Sequence, residues 1–227
     1  MLPVWKLVAS TIVIAGTVYL AQQVRKPSRG LGRGALARMN LSHSALTDWG
    51  LTHVQVEKGF TILDVGCGGG RTVQKLAAAA SEGHVAGVDF AAGSVEVSRE
   101  LNAEAIRAGR VEIQAAAVSK LPFPDATFDL VTAVETHYYW PDLVADAREI
   151  RRVLKPGGAF VAIAEAYKGS RYDWIMRPAM LLLRAKMLSV AEHRDWLAAA
   201  GFSDVQAFEE RGRGWLCVRG SNGSASR

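Results

Sequence analysis

A short apolar strand that ends in a run of glycines constrains the fold of this chain more than any other feature. The apolar stretch 61–65 leads into Gly66, Cys67 and three further glycines, and a helical pattern begins at Arg71. A second apolar stretch, 84–89, ends on Asp89. Because parallel strands bring their carboxyl ends to one edge of a sheet, the glycine loop and Asp89 predict a site for a ribose and its attached groups.

Strand and helix patterns alternate along the domain. Apolar strand patterns lie at 60–65, 84–89, 111–115, 128–134 and 159–164, with helical patterns between them. This alternation predicts parallel strands joined by right-handed crossovers, in a sheet that helices cover on both faces. Two later strand patterns, separated by a polar turn, predict an antiparallel hairpin at the sheet edge. The predicted fold class is therefore α/β, doubly wound and mostly parallel, with a C-terminal antiparallel hairpin.

An uncharged apolar segment, 7–20, precedes the domain and predicts one N-terminal hydrophobic helix. Extended to residue 24, it reaches about 27 Å as a helix, close to the ~30 Å of a bilayer core. Five cationic residues follow it between 25 and 38, and positive charge resists translocation. We therefore expect residues 4–24 to anchor the chain in a membrane, with the catalytic domain in the cytoplasm. A cleaved signal peptide and a buried core helix are the alternatives.

The chain divides into four segments on this basis. They are an anchoring helix at 1–26, a basic Gly/Arg linker at 27–39, a ligand-binding domain at 40–220 and a disordered tail at 221–227. The formal net charge is +5, but residues 1–40 hold six cations and no acid. The folded domain is therefore not basic, which argues against a nucleic-acid partner. Two cysteines and five scattered histidines predict neither a disulfide framework nor a metal site.

The residues around the glycine loop distinguish between two kinds of ligand. A dinucleotide-binding loop requires a third glycine where this chain has Arg71. Asp64, just before the loop, would repel a phosphate and attract a cation or an amino group. These features disfavour a nicotinamide-dependent oxidoreductase. They favour S-adenosylmethionine, which carries an ammonium and a sulfonium and no phosphate.

Five motifs occur in order at domain-like spacing. They are Asp-Val-Gly-Cys-Gly-Gly-Gly at 64–70, Gly-Val-Asp at 87–89, Leu-Pro-Phe-Pro-Asp-Ala-Thr-Phe-Asp-Leu-Val at 121–131, Glu-Ile-Arg-Arg-Val-Leu-Lys-Pro-Gly-Gly at 149–158 and Ala-Gly-Phe at 200–202. With these motifs the chain resembles the class I S-adenosylmethionine-dependent methyltransferases, specifically the small type 11 kind, over about residues 60–219. The resemblance implies a seven-stranded sheet, S-adenosyl-L-methionine as cofactor and methyl transfer as the reaction.

The resemblance also implies a role for each cofactor-binding residue. The loop residues lie along the methionine and ribose portions, Asp89 accepts hydrogen bonds from the ribose hydroxyls, and Glu135 lies near the methionine portion or the acceptor. The adenine ring lies near Phe90 and is flanked by Ala117 and Val118. The family's usual acidic residue is absent at these positions, so a backbone carbonyl or water must accept the adenine amino group. The full set is Asp64, Gly66, Cys67, Gly68, Gly70, Asp89, Phe90, Ala117, Val118 and Glu135.

Catalysis is predicted just after the fourth strand, where a substrate approaches the edge of the sheet. His137 is the candidate general base, since imidazole titrates near neutral pH, and Tyr138 contributes to an aromatic wall. The alternatives are that these aromatics pack in the core and that alignment alone suffices for methyl transfer. The predicted function is methyl transfer to a small-molecule or lipid acceptor at the cytoplasmic membrane face. The alternative is a non-catalytic, membrane-tethered cofactor-binding or scaffold protein.

Overall fold

A computed structural model describes Gly34, Leu36 and residues 43–223 of the chain. The predicted anchoring helix at 1–26 lies outside these residues, as does the predicted linker apart from Gly34 and Leu36. In the described part, no helix combines the length and the apolar character needed to cross a membrane.

Seven strands form one sheet, and seven α-helices are described with it. The strands are β1 Thr61–Val65, β2 His84–Asp89, β3 Val111–Ala115, β4 Phe128–Val134, β5 Leu154–Ala164, β6 Ser203–Glu210 and β7 Trp215–Ser221. The helices are α1 Ser44–Leu51, α2 Arg71–Ala79, α3 Ala92–Leu101, α4 Ala103–Arg107, α5 Leu143–Val153, α6 Asp173–Leu182 and α7 Val190–Ala199, with one 3₁₀ turn at His137–Tyr139.

The strand order is β3-β2-β1-β4-β5-β7-β6. Strands β1 to β5 pair in parallel, whereas β7 runs antiparallel to both β5 and β6. Neighbouring side chains of β1 enter opposite faces, Ile62 into one core cluster and Leu63 into the other, as a sheet covered on both sides requires. The predicted mostly parallel sheet with a C-terminal hairpin is confirmed.

The direction of chain progression reverses between β1 and β4. From β1 the chain proceeds outward to β2 and β3, and it then returns to place β4 on the other side of β1. The crossovers leave a crevice at the carboxyl ends of these two strands, which is where open α/β sheets bind ligands.

Several element boundaries differ from the sequence predictions, and β5 begins at Leu154 instead of 159. The helical pattern between β2 and β3 is divided into α3 and α4 at Asn102, whose side-chain amide donates to the carbonyls of Ser98 and Gly70 at 2.9 and 3.1 Å. Such local side-chain bonds compete with helix continuation. The last strand continues through Ser221, into the segment predicted to be disordered, and the Asn222 side chain donates to the Leu154 carbonyl at 2.9 Å.

Candidate active site

A cavity of about 460 Å³ lies at the carboxyl ends of β1, β2, β4 and β5. Nine of the residues assigned a role from the sequence line it: Gly66, Cys67, Gly68, Asp89, Phe90, Ala117, Val118, Glu135 and Tyr138. The other three, Asp64, Gly70 and His137, are not among its lining residues.

The glycine loop presents bare backbone to this cavity. The backbone N–H groups of Gly66 and Cys67 both donate to the Val88 carbonyl, at 2.8 and 2.9 Å, which fastens the loop to the end of β2. Gly68 has φ +50°, and the nearest side-chain atom to a Cβ added there is Leu36 Cδ2, at 3.9 Å. A side chain at this position would occupy open cavity space, so the loop forms a cradle that fits a ligand lying along the backbone.

Gly70 serves the packing of the loop and not its ligand-facing surface. Its φ of +81° favours glycine, and an added Cβ would lie 2.6 Å from Asn102 Nδ2 on the adjoining helix. The carbonyl of Gly70 accepts the Asn102 amide, so loop and helix are in direct contact. The structure therefore gives Gly70 a role in positioning the loop, and its predicted contact with the cofactor stays a prediction.

Asp89 links the end of β2 to the glycine loop. One carboxylate oxygen accepts the N–H of Gly68 at 3.0 Å, and the other accepts the N–H of Ala91 at 2.8 Å. Burial raises the pKa of Asp89 above its ordinary value, although these hydrogen bonds and one from Ser94 act in the opposite direction. Each oxygen keeps further acceptor capacity, so the carboxylate can both hold the loop and receive hydroxyl groups from a ligand.

Phe90, Ala117 and Val118 form one end of the cavity. Phe90 is 51% exposed, and Val118 is buried after the end of β3. The N–H of Ala116 donates to the Asp89 carbonyl at 3.1 Å, which holds the two chain segments together. This end offers apolar contacts for a planar ring.

Asp64 lies within the sheet, behind the cavity wall. It is aligned with Thr132 of β4, whose hydroxyl donates to Asp64 Oδ1 at 2.7 Å. Burial raises the pKa of Asp64 to about 7, and the nearby charge of Asp89 acts in the same direction. In this structure the Asp64 side chain is buried against Thr132 and does not line the cavity, and its contact with the cofactor stays a prediction.

Glu135 lies at the end of β4 within a group of polar residues. Its Oε1 accepts the Tyr138 hydroxyl at 2.7 Å and the Glu165 N–H at 2.6 Å, and its φ of +58° is unusual for a residue other than glycine. Burial raises the pKa of Glu135 to about 7, and the charge of Glu165 adds to this effect while His43 opposes it. A carboxyl that titrates near neutral pH can hold or release a proton at this wall.

Glu165 and His43 complete this group, which we call the acid–histidine cluster (His43, Glu135, Tyr138 and Glu165). His43 Nε2 lies 3.6 Å from Glu165 Oε1. Burial lowers the pKa of His43, but the adjacent carboxylate of Glu165 and the charge of Glu135 together raise it above its ordinary value. The donor atoms of His43, Glu135 and Glu165 lie within 4.8 Å of one another, so they are also the residues that could approach a metal ion.

His137 is buried, and its ring stacks on Trp196 at a centroid distance of 5.4 Å. His193 Nδ1 lies 2.8 Å from the Ser189 carbonyl, so it carries a proton, and the neutral ring then accepts at Nε2 from His137 Nε2, 3.0 Å away. Burial holds the pKa of His137 well below its ordinary value. The structure does not support the predicted role as general base, because the 3₁₀ turn directs this ring into the core.

Apolar side chains line the same cavity as the acid–histidine cluster and form what we call the apolar wall. Helix α6 contributes Met176, Ala179 and Met180, and the 3₁₀ turn with its following residue contributes Tyr139 and Trp140. Glu165 was missed in the sequence analysis, although its position directly after β5 was a usable signal. His43 carries no comparable signal, because its pairing with Glu165 connects distant parts of the chain.

Comparisons with known proteins agree with this geometry. A family model described as a methyltransferase domain matches residues 63–162. The sterol 4-C-methyltransferase strm-1 of Caenorhabditis elegans is 34% identical over 120 residues, which are 53% of this chain and 35% of that protein. A demethylmenaquinone methyltransferase of Listeria monocytogenes is 39% identical over 111 residues, 48% of this chain and 46% of that protein. The chain thus spans less than half of either relative.

A solved structure shares the fold. The SAM-dependent methyltransferase of Aquifex aeolicus superposes with a TM-score of 0.68 at 21% identity, over 83% of this chain and 97% of that one. For the matched region, the predicted enzyme class and cofactor are confirmed. Residues 63–162 therefore match a methyltransferase domain, and the described residues share the fold of a SAM-dependent methyltransferase.

Proposed function

We propose that the whole chain transfers a methyl group from S-adenosylmethionine to a lipophilic small molecule. One observation carries the proposal: a single cavity joins the glycine loop and Asp89 to an apolar wall from α6 and to the acid–histidine cluster. A cofactor-binding end and an acceptor-binding end are therefore continuous, as direct transfer between two bound molecules requires.

The residues at the cofactor end suit this ligand. The bare backbone at Gly68 admits close approach, Asp89 offers carboxylate oxygens to ribose hydroxyls, and Phe90 supports the adenine ring. When bound, the cofactor supplies an electrophilic methyl group on a sulfonium. Asp89 and Glu135 line the cavity and favour a cation nearby, and Arg71 occupies the position where a dinucleotide-binding loop requires its third glycine.

The acceptor end must bind an apolar body and take up a proton. Met176, Met180 and Tyr139 supply apolar contacts. As the acceptor atom forms its bond to the methyl carbon, the bond from that carbon to the sulfonium sulfur would break and leave S-adenosylhomocysteine, and the acceptor's proton would pass to the carboxylate of Glu135 or Glu165. Their position in the same cavity as the apolar wall supports an acceptor with one ionisable group on a lipophilic skeleton.

The names of the two relatives support this acceptor class, since sterols and demethylmenaquinone are both lipophilic. The proposed site of action is the cytoplasmic membrane face, reached through the apolar segment 4–24, which precedes the described domain. A membrane-anchored enzyme would meet such acceptors where they are most concentrated.

Incubation of the full chain with methyl-labelled S-adenosylmethionine and either a membrane lipid extract or a water-soluble metabolite extract tests the proposal. We expect label in the organic phase. Label confined to the aqueous products would refute the lipophilic acceptor. Cofactor binding without transfer to either extract would favour a non-catalytic, membrane-tethered binding or scaffold protein instead. Asp89→Ala should remove both binding and transfer, whereas the exposed substitution Asp125→Ala should change neither.

A further inference from the structure

Helix α6 exposes an unusual amount of apolar surface. Trp174 and Leu181 are 76% and 78% exposed, and Ile175 and Leu182 are each 52% exposed. These are four of the seven large hydrophobic side chains that are exposed in the described part of the chain. Single exposed apolar residues are ordinary, but several on one helix indicate an interaction surface.

The exposed and cavity-lining residues lie on opposite faces of this helix. Met176 and Met180, spaced by four, face the cavity with Ala179. Each residue advances a helix by about 100°, so Trp174 and Leu181, which are seven residues apart, lie on the same face. This face points away from the cavity. Helix α6 is therefore the single layer between the acceptor end of the cavity and the outside.

Cationic residues border the apolar face. The segment 170–188 contains four Lys or Arg residues and one acid. Arg177 is exposed and pairs with Asp173 at 2.6 Å, while Arg171 and Arg184 are exposed near the two ends of the helix. The adjoining end of β6 holds two glutamates and the β6–β7 turn holds two arginines, so together they leave the positive balance of this surface unchanged. Apolar side chains bordered by arginines are complementary to a bilayer with anionic headgroups.

We propose that α6 lies on an anionic membrane surface and that the acceptor enters the cavity from the bilayer past this helix. The docking face consists of Trp174, Ile175, Leu181 and Leu182, with Arg171, Arg177 and Arg184 at the headgroups. The proposal rests on the lipophilic acceptor of the proposed function, but membrane docking is measured without any transfer reaction. A failed docking experiment therefore leaves the assignment of methyl transfer intact.

A fluorescent probe on the docking face tests this directly in the full chain. Leu181→Cys places a thiol at an exposed position, and both native cysteines are buried, so an environment-sensitive dye labels the new site. Ser81→Cys is the matched control. Ser81 is exposed in the turn between α2 and β2, which lies at the amino ends of the parallel strands, whereas the cavity lies at their carboxyl ends. Tethering through residues 4–24 alone would move neither probe into an apolar environment.

We expect the probe at 181 to shift to shorter wavelength with vesicles of phosphatidylcholine and phosphatidylglycerol, and the probe at 81 to stay unchanged. Replacing Arg171 and Arg184 by Gln should weaken this binding about 25-fold, at about fivefold per arginine. A probe at 181 that stays polar on these vesicles overturns the proposal. So does a probe already shielded in buffer, which would show that the chain itself or a second copy covers α6, and so does equal response to phosphatidylcholine alone.

Discussion

Asp89→Asn tests the link between the glycine loop and β2. In the folded protein each Asp89 carboxylate oxygen accepts a backbone N–H, from Gly68 at 3.0 Å and from Ala91 at 2.8 Å. An amide has one acceptor oxygen, so the variant must turn its NH₂ group toward one of these N–H donors. The size and shape of the side chain stay nearly the same. The variant therefore differs from the wild type only by one lost acceptor and by the lost negative charge.

The expected losses of stability and of cofactor affinity follow from these two hydrogen bonds. Leaving one buried N–H without an acceptor costs about 1–3 kcal/mol in the free energy of unfolding. In the variant, the ribose hydroxyls of a bound ligand would donate to a neutral amide oxygen instead of a carboxylate oxygen. Charge-assisted hydrogen bonds are roughly twice as strong as neutral ones. We expect a loss of about 1–3 kcal/mol in cofactor affinity, which corresponds to about 5- to 150-fold.

Urea denaturation and calorimetric titration with S-adenosylhomocysteine measure the two effects separately. Asp125→Asn is the control, because Asp125 makes a surface ion pair with Arg152 and its side chain is 77% exposed. We expect this control to stay within about 0.5 kcal/mol of the wild type. If Asp89→Asn matches the control in both measurements, the reasoning about the shared carboxylate is refuted.

Three further substitutions test buried groups. Burial raises the pKa of Asp64 to about 7 from 3.8, so the free energy of unfolding should fall as pH rises between these values, by up to about 4 kcal/mol, and Asp64→Asn should remove that slope in urea titrations. His193 has a pKa lowered to about 4 by burial, so stability should fall as pH drops from 6.5 to 4, and His193→Phe should reduce this dependence; an unchanged slope would contradict it. Gly66→Ala should cost about 2–4 kcal/mol, because φ is +76° and the new Cβ would lie 2.5 Å from Thr136 Cγ2. Gly109→Ala, with similar φ and open space around it, should cost about 1 kcal/mol, and equal losses at the two glycines would contradict the steric argument.

The sheet could be predicted from the sequence because its signals are local. Runs of apolar residues bounded by glycine, proline and helical patterns identify β1 to β5, and the alternation of elements determines their direction. The division between α3 and α4 was not predictable in this way. It depends on the Asn102 amide reaching the Gly70 carbonyl, a contact between residues 32 positions apart.

The site was predictable where function depends on backbone position and less so where it depends on side-chain direction. Gly68 and Asp89 lie at strand ends, which meet at one edge in any parallel sheet. Asp64 and His137 were assigned from proximity in sequence, but strand alternation and a 3₁₀ turn direct both into the protein. The pairing of His43 with Glu165 joins α1's amino end to the end of β5, and no local pattern encodes it.

A crystal structure of the protein with S-adenosylhomocysteine tests the central claim most directly. We expect the ribose hydroxyls within hydrogen-bond distance of the Asp89 carboxylate, the adenine ring beside Phe90 and Val118, and the sulfur atom directed toward the acid–histidine cluster. A ligand bound elsewhere, or one whose sulfur is separated from the apolar wall of α6, would contradict the account.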